Sequence, residues 1–268
     1  METVQETLDK NKKQQEFYNN KKKSFPSKIW SFVREKSLKN IRKELGILEG
    51  SYELHKSWMG NLADKKVLDL GCYSGNSLSL YIAKNCKEYV GIDLSDKAIN
   101  KLNQKVKDIP NARAICKDFF SDDFNDSNFD LIYAYGVLHH FKSVDNLIVQ
   151  LNKKLAAKGQ IISYDPLETS YLIWFVRKLY RPFQSDAAWE WPFNRQTLEK
   201  FKQGFTILEK RGVLGASKWY FLYAMLPMSK EKKVAWGKKK HKKDWERSST
   251  SNSHLHKCMQ LNMLMQKK

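Results

Sequence analysis

One stretch constrains this chain more than any other: Val67-Leu-Asp-Leu-Gly-Cys-Tyr-Ser-Gly-Asn-Ser77. It begins as an apolar run, halts at Gly71 and Gly75, and passes at once into a helical pattern from Leu78 to Ala83. That order reads as a buried strand, a tight glycine turn and the first turn of a helix. Glycine lets backbone approach a ligand closely, and a helix start offers unpaired N–H groups. Tyr89-Val-Gly-Ile-Asp93 then reads as a second strand ending in a carboxylate. A glycine turn followed at about twenty residues by an acid is the pattern of a nucleoside site, the acid gripping ribose hydroxyls.

The spacing argues against a dinucleotide. A pyrophosphate site wants G-x-G-x-x-G, whereas here Asp69-x-Gly71-x-x-x-Gly75 carries an acid into the turn. That acid would repel phosphate and could bind a cationic amino group, directly or through water. The stretch resembles the D-x-G-x-G-x-G first motif of class I S-adenosylmethionine (SAM)-dependent methyltransferases, with Tyr73 standing where the middle glycine belongs. On these residues alone, a strand–turn–helix of another α/β protein stays open. The resemblance implies SAM as cofactor and S-adenosylhomocysteine as product. Asp69, Gly71, Tyr73, Gly75, Asp93 and the following Leu94 would hold the cofactor.

Further matches follow in register. Ala112 to Cys116 reads as a third strand, and in the resembled family the next acid bonds the adenine amino group while its neighbour covers the ring. Asp118 and Phe119 stand there. Asn128-Phe-Asp-Leu-Ile-Tyr-Ala-Tyr-Gly-Val-Leu-His-His-Phe141 is similar to the FD-x-I…LHH stretch of methyltransferases acting on quinone precursors and small metabolites. Tyr135 and Gly136 would then lie beside the methionine part of SAM. His139 or His140 could act as general base near neutral pH, the other packing beneath the loop. Asp165, ending the fifth strand, could serve as acid/base or substrate anchor. An N-terminal helix closes over the cofactor in many such enzymes, which makes Tyr18 in Gln15-Glu-Phe-Tyr-Asn-Asn20 a lid candidate.

Residues 167–193 are an aromatic insertion, expected either to cover the substrate or to pack against a second subunit. Trp174, Arg177, Trp189 and Trp191 are its candidate substrate contacts, with ring faces for a planar or cationic group and Arg177 for a carboxylate or phosphate. Phe205–Gly212 and Trp219–Met225 read as a terminal antiparallel hairpin. The expected fold is therefore α/β, a doubly wound Rossmann-like seven-stranded sheet, mostly parallel, with helical additions at both ends. Residues 1–54 would form a helical cap, 55–228 the methyltransferase domain, and 229–268 a basic extension ending in a helix over His254–Met265.

Composition sets the outer limits. At 268 residues with 41% hydrophobic content, the chain can build one α/β domain with additions. Its longest apolar run, Tyr171 to Val176, is too short for a bilayer span, and no signal sequence opens the chain. The four cysteines have no metal-ligand spacing, so no metal is expected and a reduced, cytoplasmic setting is. Net charge is +19, and residues 229–268 hold 12 Lys/Arg against 3 Asp/Glu. Such a bias fits nucleic acid, anionic lipid or simple solvation. The expected function is direct, metal-free methyl transfer to oxygen or nitrogen of a small metabolite, lipid precursor or glycan. The alternatives are an RNA methyltransferase using the basic termini and a non-enzymatic SAM-binding scaffold. A homodimer through the aromatic insertion or the last helix is the expected assembly.

Overall fold

The computed structural model describes residues 3–19, 28, 39–184 and 186–268. Helix α1 (Val4–Asn19) precedes α2 (Asn40–Glu44) and α3 (Ile47–Met59). Then β1 (Lys66–Leu70), α4 (Ser77–Asn85), β2 (Glu88–Asp93), α5 (Asp96–Val106), β3 (Ala112–Cys116) and β4 (Phe129–Tyr135) alternate. They continue with α6 (Val144–Lys154), β5 (Leu155–Pro166), α7 (Tyr171–Tyr180), α8 (Arg195–Gly204) and β6 (Phe205–Val213). Last come α9 (Tyr220–Tyr223), α10 (Lys230–Thr250), α11 (Asn252–Leu255) and β7 (Gln260–Lys267). Most of the expected helix over Ile29–Leu45 lies outside the described residues. No helix among the described residues is long and apolar enough to cross a membrane.

The seven strands form one sheet in the order β3-β2-β1-β4-β5-β7-β6. All pairings are parallel except those of β7, which is antiparallel to both β5 and β6. Alternating side chains feed two cores. Val67, Tyr89, Leu131, Ile162 and Leu264 face α3, α4 and α5, while Leu68, Val90, Ile132, Ile161 and Met263 face α6 and α8. Strands buried on both faces read as continuous apolar runs, and that is why β1 and β4 were legible. The helix starts were legible too: Asn76 closes a capping box on α4 and Ser95 caps α5.

The terminal pair is the main correction. Its first strand is β6, as expected, but Trp219–Met225 forms a short 3-10 turn and α9 rather than the second strand. Its partner comes instead from Gln260–Lys267, where a terminal helix was expected. A short apolar run does not by itself separate strand from helix. Tertiary bonds decide the matter here. Asp244, fully buried on α10, accepts from Ala216 N at 2.7 Å, Ser217 N at 2.8 Å and Ser217 Oγ at 2.7 Å, and so holds the turn after β6. The basic run Lys238–Lys243 is thus one part of a helix whose Gly237 packs against Leu45 and Tyr220.

Asp69 sits in β1 at 2% exposure and accepts from the Tyr89 hydroxyl at 2.7 Å. Burial raises its carboxyl to about 6, against the pull of bonds from Ser79 and Tyr89. The folded chain therefore holds this proton more tightly than the unfolded one, and ionising Asp69 costs stability. Between about pH 4 and about pH 6 this group should lower stability as pH rises, by roughly 2–3 kcal/mol. Urea titrations should show that component missing in Asp69→Asn. A second expectation concerns β7. Leu261, Met263, Leu264 and Met265 are all at most 7% exposed. At about 1.5–3 kcal/mol each, their burial is comparable to the whole stability of a typical domain. A chain stopped after Met259 should lose cooperative thermal unfolding and near-ultraviolet dichroism; a dispensable extension would leave both intact.

Candidate active site

The loop after β1 hangs from the end of β2. Gly71 N and Cys72 N both donate to the Ile92 carbonyl, at 2.8 and 3.1 Å. Residues 71, 73 and 75 all adopt left-handed backbone, with φ of 66°, 47° and 73°. Tyr73 therefore adopts backbone that ordinarily favours glycine. For a tyrosine that costs about 1–2 kcal/mol, and its amide is held by Asp93 Oδ2 at 2.9 Å. Its side chain is 61% exposed, so it does not fill the loop. Glycine is obligatory at 71, where a Cβ would stand 2.3 Å from Val137 Cγ2.

This loop floors a cavity of about 440 Å³ at the C-terminal ends of β1, β2 and β4. Of the residues the resemblance assigns to the cofactor, Gly71, Tyr73, Asp93, Leu94, Asp118, Phe119, Tyr135 and Gly136 line it. Gly75 shapes the turn without lining the wall. Asp69 lies behind the loop and not on the wall. Asp93 also accepts from Ser95 N at 2.8 Å through Oδ1. Burial raises its carboxyl, opposed by these amide bonds. Each carboxylate oxygen can accept a further donor, so both amides and a ribose can share it.

Helix α1 roofs the cavity through amides that the sequence reading missed. Asn11 donates to Asp118 Oδ1 at 3.0 Å, and Gln15 donates to the Leu94 carbonyl at 2.6 Å. Asn11 and Gln14 line the wall. The only sequence signal is polar amides at positions 11, 14 and 15, a helical spacing. Backbone at Tyr18 lies in α1, while its side chain is outside the described residues. The neighbouring Phe17 ring lies 6.4 Å from that of Trp189, which joins the roof to the insertion.

A second cavity, of about 600 Å³, shares Tyr135 and Gly136 with the first. Tyr135 stacks on Tyr164, which lines the second cavity, at 4.7 Å. His139 lines this second space, 7% exposed, with Nδ1 2.8 Å from Asp165 Oδ1. Asp165 is fully buried and also accepts from His139 N at 3.2 Å. His140 turns the other way, lining the first cavity, with Nδ1 2.6 Å from the Trp189 carbonyl. The pair thus divides between two spaces, and only His139 couples to Asp165.

The insertion contributes differently from its sequence promise. Of its expected contacts only Arg177 lines the second cavity, together with Gln184 and Glu190. Trp174 is 48% exposed with the Lys178 ammonium 5.2 Å from its ring centroid, and it lines neither cavity. Trp189 and Trp191 pack near α1 and His140.

The cradle at Gly71, the carboxylates of Asp93 and Asp118, and the buried Phe119 fit a nucleoside cofactor. Gly71→Ala should force the loop off Val137 and into strained backbone. Calorimetry should show at least a roughly tenfold loss of S-adenosylhomocysteine affinity, with a lowered melting temperature. Unchanged binding would mean that the cofactor sits elsewhere.

Comparison with known proteins agrees. Residues 52–209 match the family model described as a methyltransferase domain. An uncharacterised protein of Haemophilus influenzae is 30% identical over 114 residues, covering 40% of this chain but only 44% of that protein. A carboxy-S-adenosyl-L-methionine synthase of Helicobacter pylori is 29% identical over 178 residues, covering 62% of this chain and 72% of that protein. In fold, the chain is similar to geranyl diphosphate C-methyltransferase from Streptomyces coelicolor, crystallised with Mg2+, geranyl diphosphate and S-adenosyl-L-homocysteine. The TM-score is 0.56 at 10% identity, over 82% of this chain and 78% of that one. With the family model matching residues 52–209, more than half of the chain, the chain belongs to the methyltransferase-domain family and is a SAM-dependent methyltransferase.

Proposed function

We propose that this enzyme transfers methyl directly to an oxygen of a small metabolite, lipid precursor or glycan seated in the second cavity, with His139 as general base. The observation that carries the reading is the His139–Asp165 pair on the wall of a space that meets the cofactor cavity at Tyr135 and Gly136. Bound SAM supplies the methyl as an electrophile on a sulfonium. The protein's part is to hold the acceptor in line and to remove its proton. A carboxylate only accepts, so Asp165 fixes Nδ1 as the protonated nitrogen and leaves Nε2 to take the acceptor's proton. Asp165 then stabilises the imidazolium. A nitrogen acceptor would fit the same cavity with less need of the base.

A second reading follows the Helicobacter pylori relative, a carboxy-S-adenosyl-L-methionine synthase matching 62% of this chain. In that reading the product is carboxy-SAM and no methylated acceptor is released. Mass spectrometry of the nucleosides after incubation with a metabolite extract separates the two. S-adenosylhomocysteine beside a methylated acceptor favours the first reading, and a nucleoside heavier by one carboxylate favours the second.

With an acceptor in hand, His139→Ala should lower turnover roughly 10²–10⁴-fold. S-adenosylhomocysteine affinity should stay within about twofold, because His139 does not line the cofactor cavity. A variant with wild-type rate would remove the base from the mechanism.

A further inference from the structure

We infer that the second cavity binds an anionic group of the acceptor, a carboxylate or a phosphate, between Arg42 and Arg177. This rests on the reading of that cavity as the acceptor's. It is not a consequence of the fold, since neither arginine belongs to the glycine loop or the strand ends that hold the cofactor.

Charge on the wall carries the first part of the argument. Lys39, Arg42 and Arg177 face the cavity against one carboxylate, Glu190. That carboxylate already accepts from Gln184 Nε2 at 2.5 Å. Glu168, near Arg177 and Arg181, lies off the cavity wall. The wall is therefore net positive, which opposes the cationic acceptor that the aromatic content of the insertion suggested.

The state of the two guanidinium groups carries the second. Arg42 has no hydrogen bond or ion pair among the described residues, and its Nε is out of water without a partner. Arg177 reaches one backbone carbonyl, Leu167, at a long 3.4 Å, and its Nε is likewise buried and unpartnered. Buried donors are normally satisfied, and each exception calls for an explanation. Arg181 shows the contrast: on the same insertion, it bonds the carbonyls of Ala187 and Glu190 at 2.9 and 3.2 Å. A guanidinium presents a planar fork that meets carboxylate or phosphate oxygens in pairs, which a lone ammonium does not.

The phenols beside Arg42 complete the picture. Its charge acts on both Tyr135 and Tyr164, which places it at the wall shared with the cofactor cavity. Burial nevertheless pushes both hydroxyls up, Tyr164 to about 12, so neither becomes an anion that would neutralise the arginine. His139 lies on the same wall. An acceptor anchored by its anionic end would present its other polar groups to the base.

The test titrates inorganic pyrophosphate and, separately, malonate into the protein loaded with S-adenosylhomocysteine, at constant ionic strength set with chloride. Either probe should bind one site, and Arg42→Gln and Arg177→Gln should each weaken it roughly tenfold or more. Tighter pyrophosphate assigns a phosphate and tighter malonate a carboxylate. Arg181→Gln, off the cavity wall and bonded to backbone carbonyls, should weaken the probe no more than about twofold. Arg42→Lys keeps the charge and loses the fork, so it serves where the glutamine variant folds poorly and should still weaken the probe. S-adenosylhomocysteine affinity should be unaffected throughout. Absence of binding above chloride, or binding that ignores both arginines, overturns the proposal. Because binding consumes no methyl, an inactive His139→Ala chain should still take up the probe, which separates failure here from failure of the proposed reaction.

Discussion

The Asp93 carboxylate holds two loops at once. One oxygen accepts from the Tyr73 amide and the other from the Ser95 amide. The first bond fixes the left-handed turn after β1; the second fixes the residue that caps α5. The two loops lie side by side because β1 and β2 pair in register, Leu70 opposite Ile92. Cofactor floor and hydrophobic core are therefore one construction. This also explains how the loop tolerates Tyr73. Its strained backbone is fastened at both ends, by Asp93 and by the Gly75 amide bonding Cys72 O at 2.9 Å.

Legibility in the sequence followed the range of the interaction. The glycine turn, Asp93 and the Ser95 cap depend on neighbours within one strand–loop–helix unit, and local spacing exposes them, while Asp118 and Phe119 became candidates only through the family resemblance. Helix α1 was legible as a possible lid, but not the amides by which it acts, since Asn11 meets Asp118 only after folding. Arg42 carried no signal at all, because nothing around it in the chain departs from an ordinary charged helix. The Trp219–Met225 error has the same origin. Its pattern suits a strand, and the competing claim of Asp244 on the preceding turn comes from a distant helix.

Two cavities meet at Tyr135 and Gly136. The glycine loop, Asp93 and Asp118 gather on one side of Tyr135. Arg42, Arg177 and the Glu190–Gln184 pair gather on the other. The insertion enters the second space with polar groups and leaves several rings on the outside, among them Tyr171 at 87% exposure and Phe175 at 52%. Aromatic content alone thus gave a poor guide to which face of the insertion lines the cavity.

The position of β7 has a consequence for how the protein is made. This strand lies between β5 and β6, yet all of residues 214–259 must emerge from the ribosome before it does. At about 5–20 residues per second, that interval is roughly two to nine seconds. Throughout it, β5 and β6 present open backbone edges of the kind that recruit foreign strands. Translation speed over residues 214–259 sets the least time for which the nascent chain stays vulnerable.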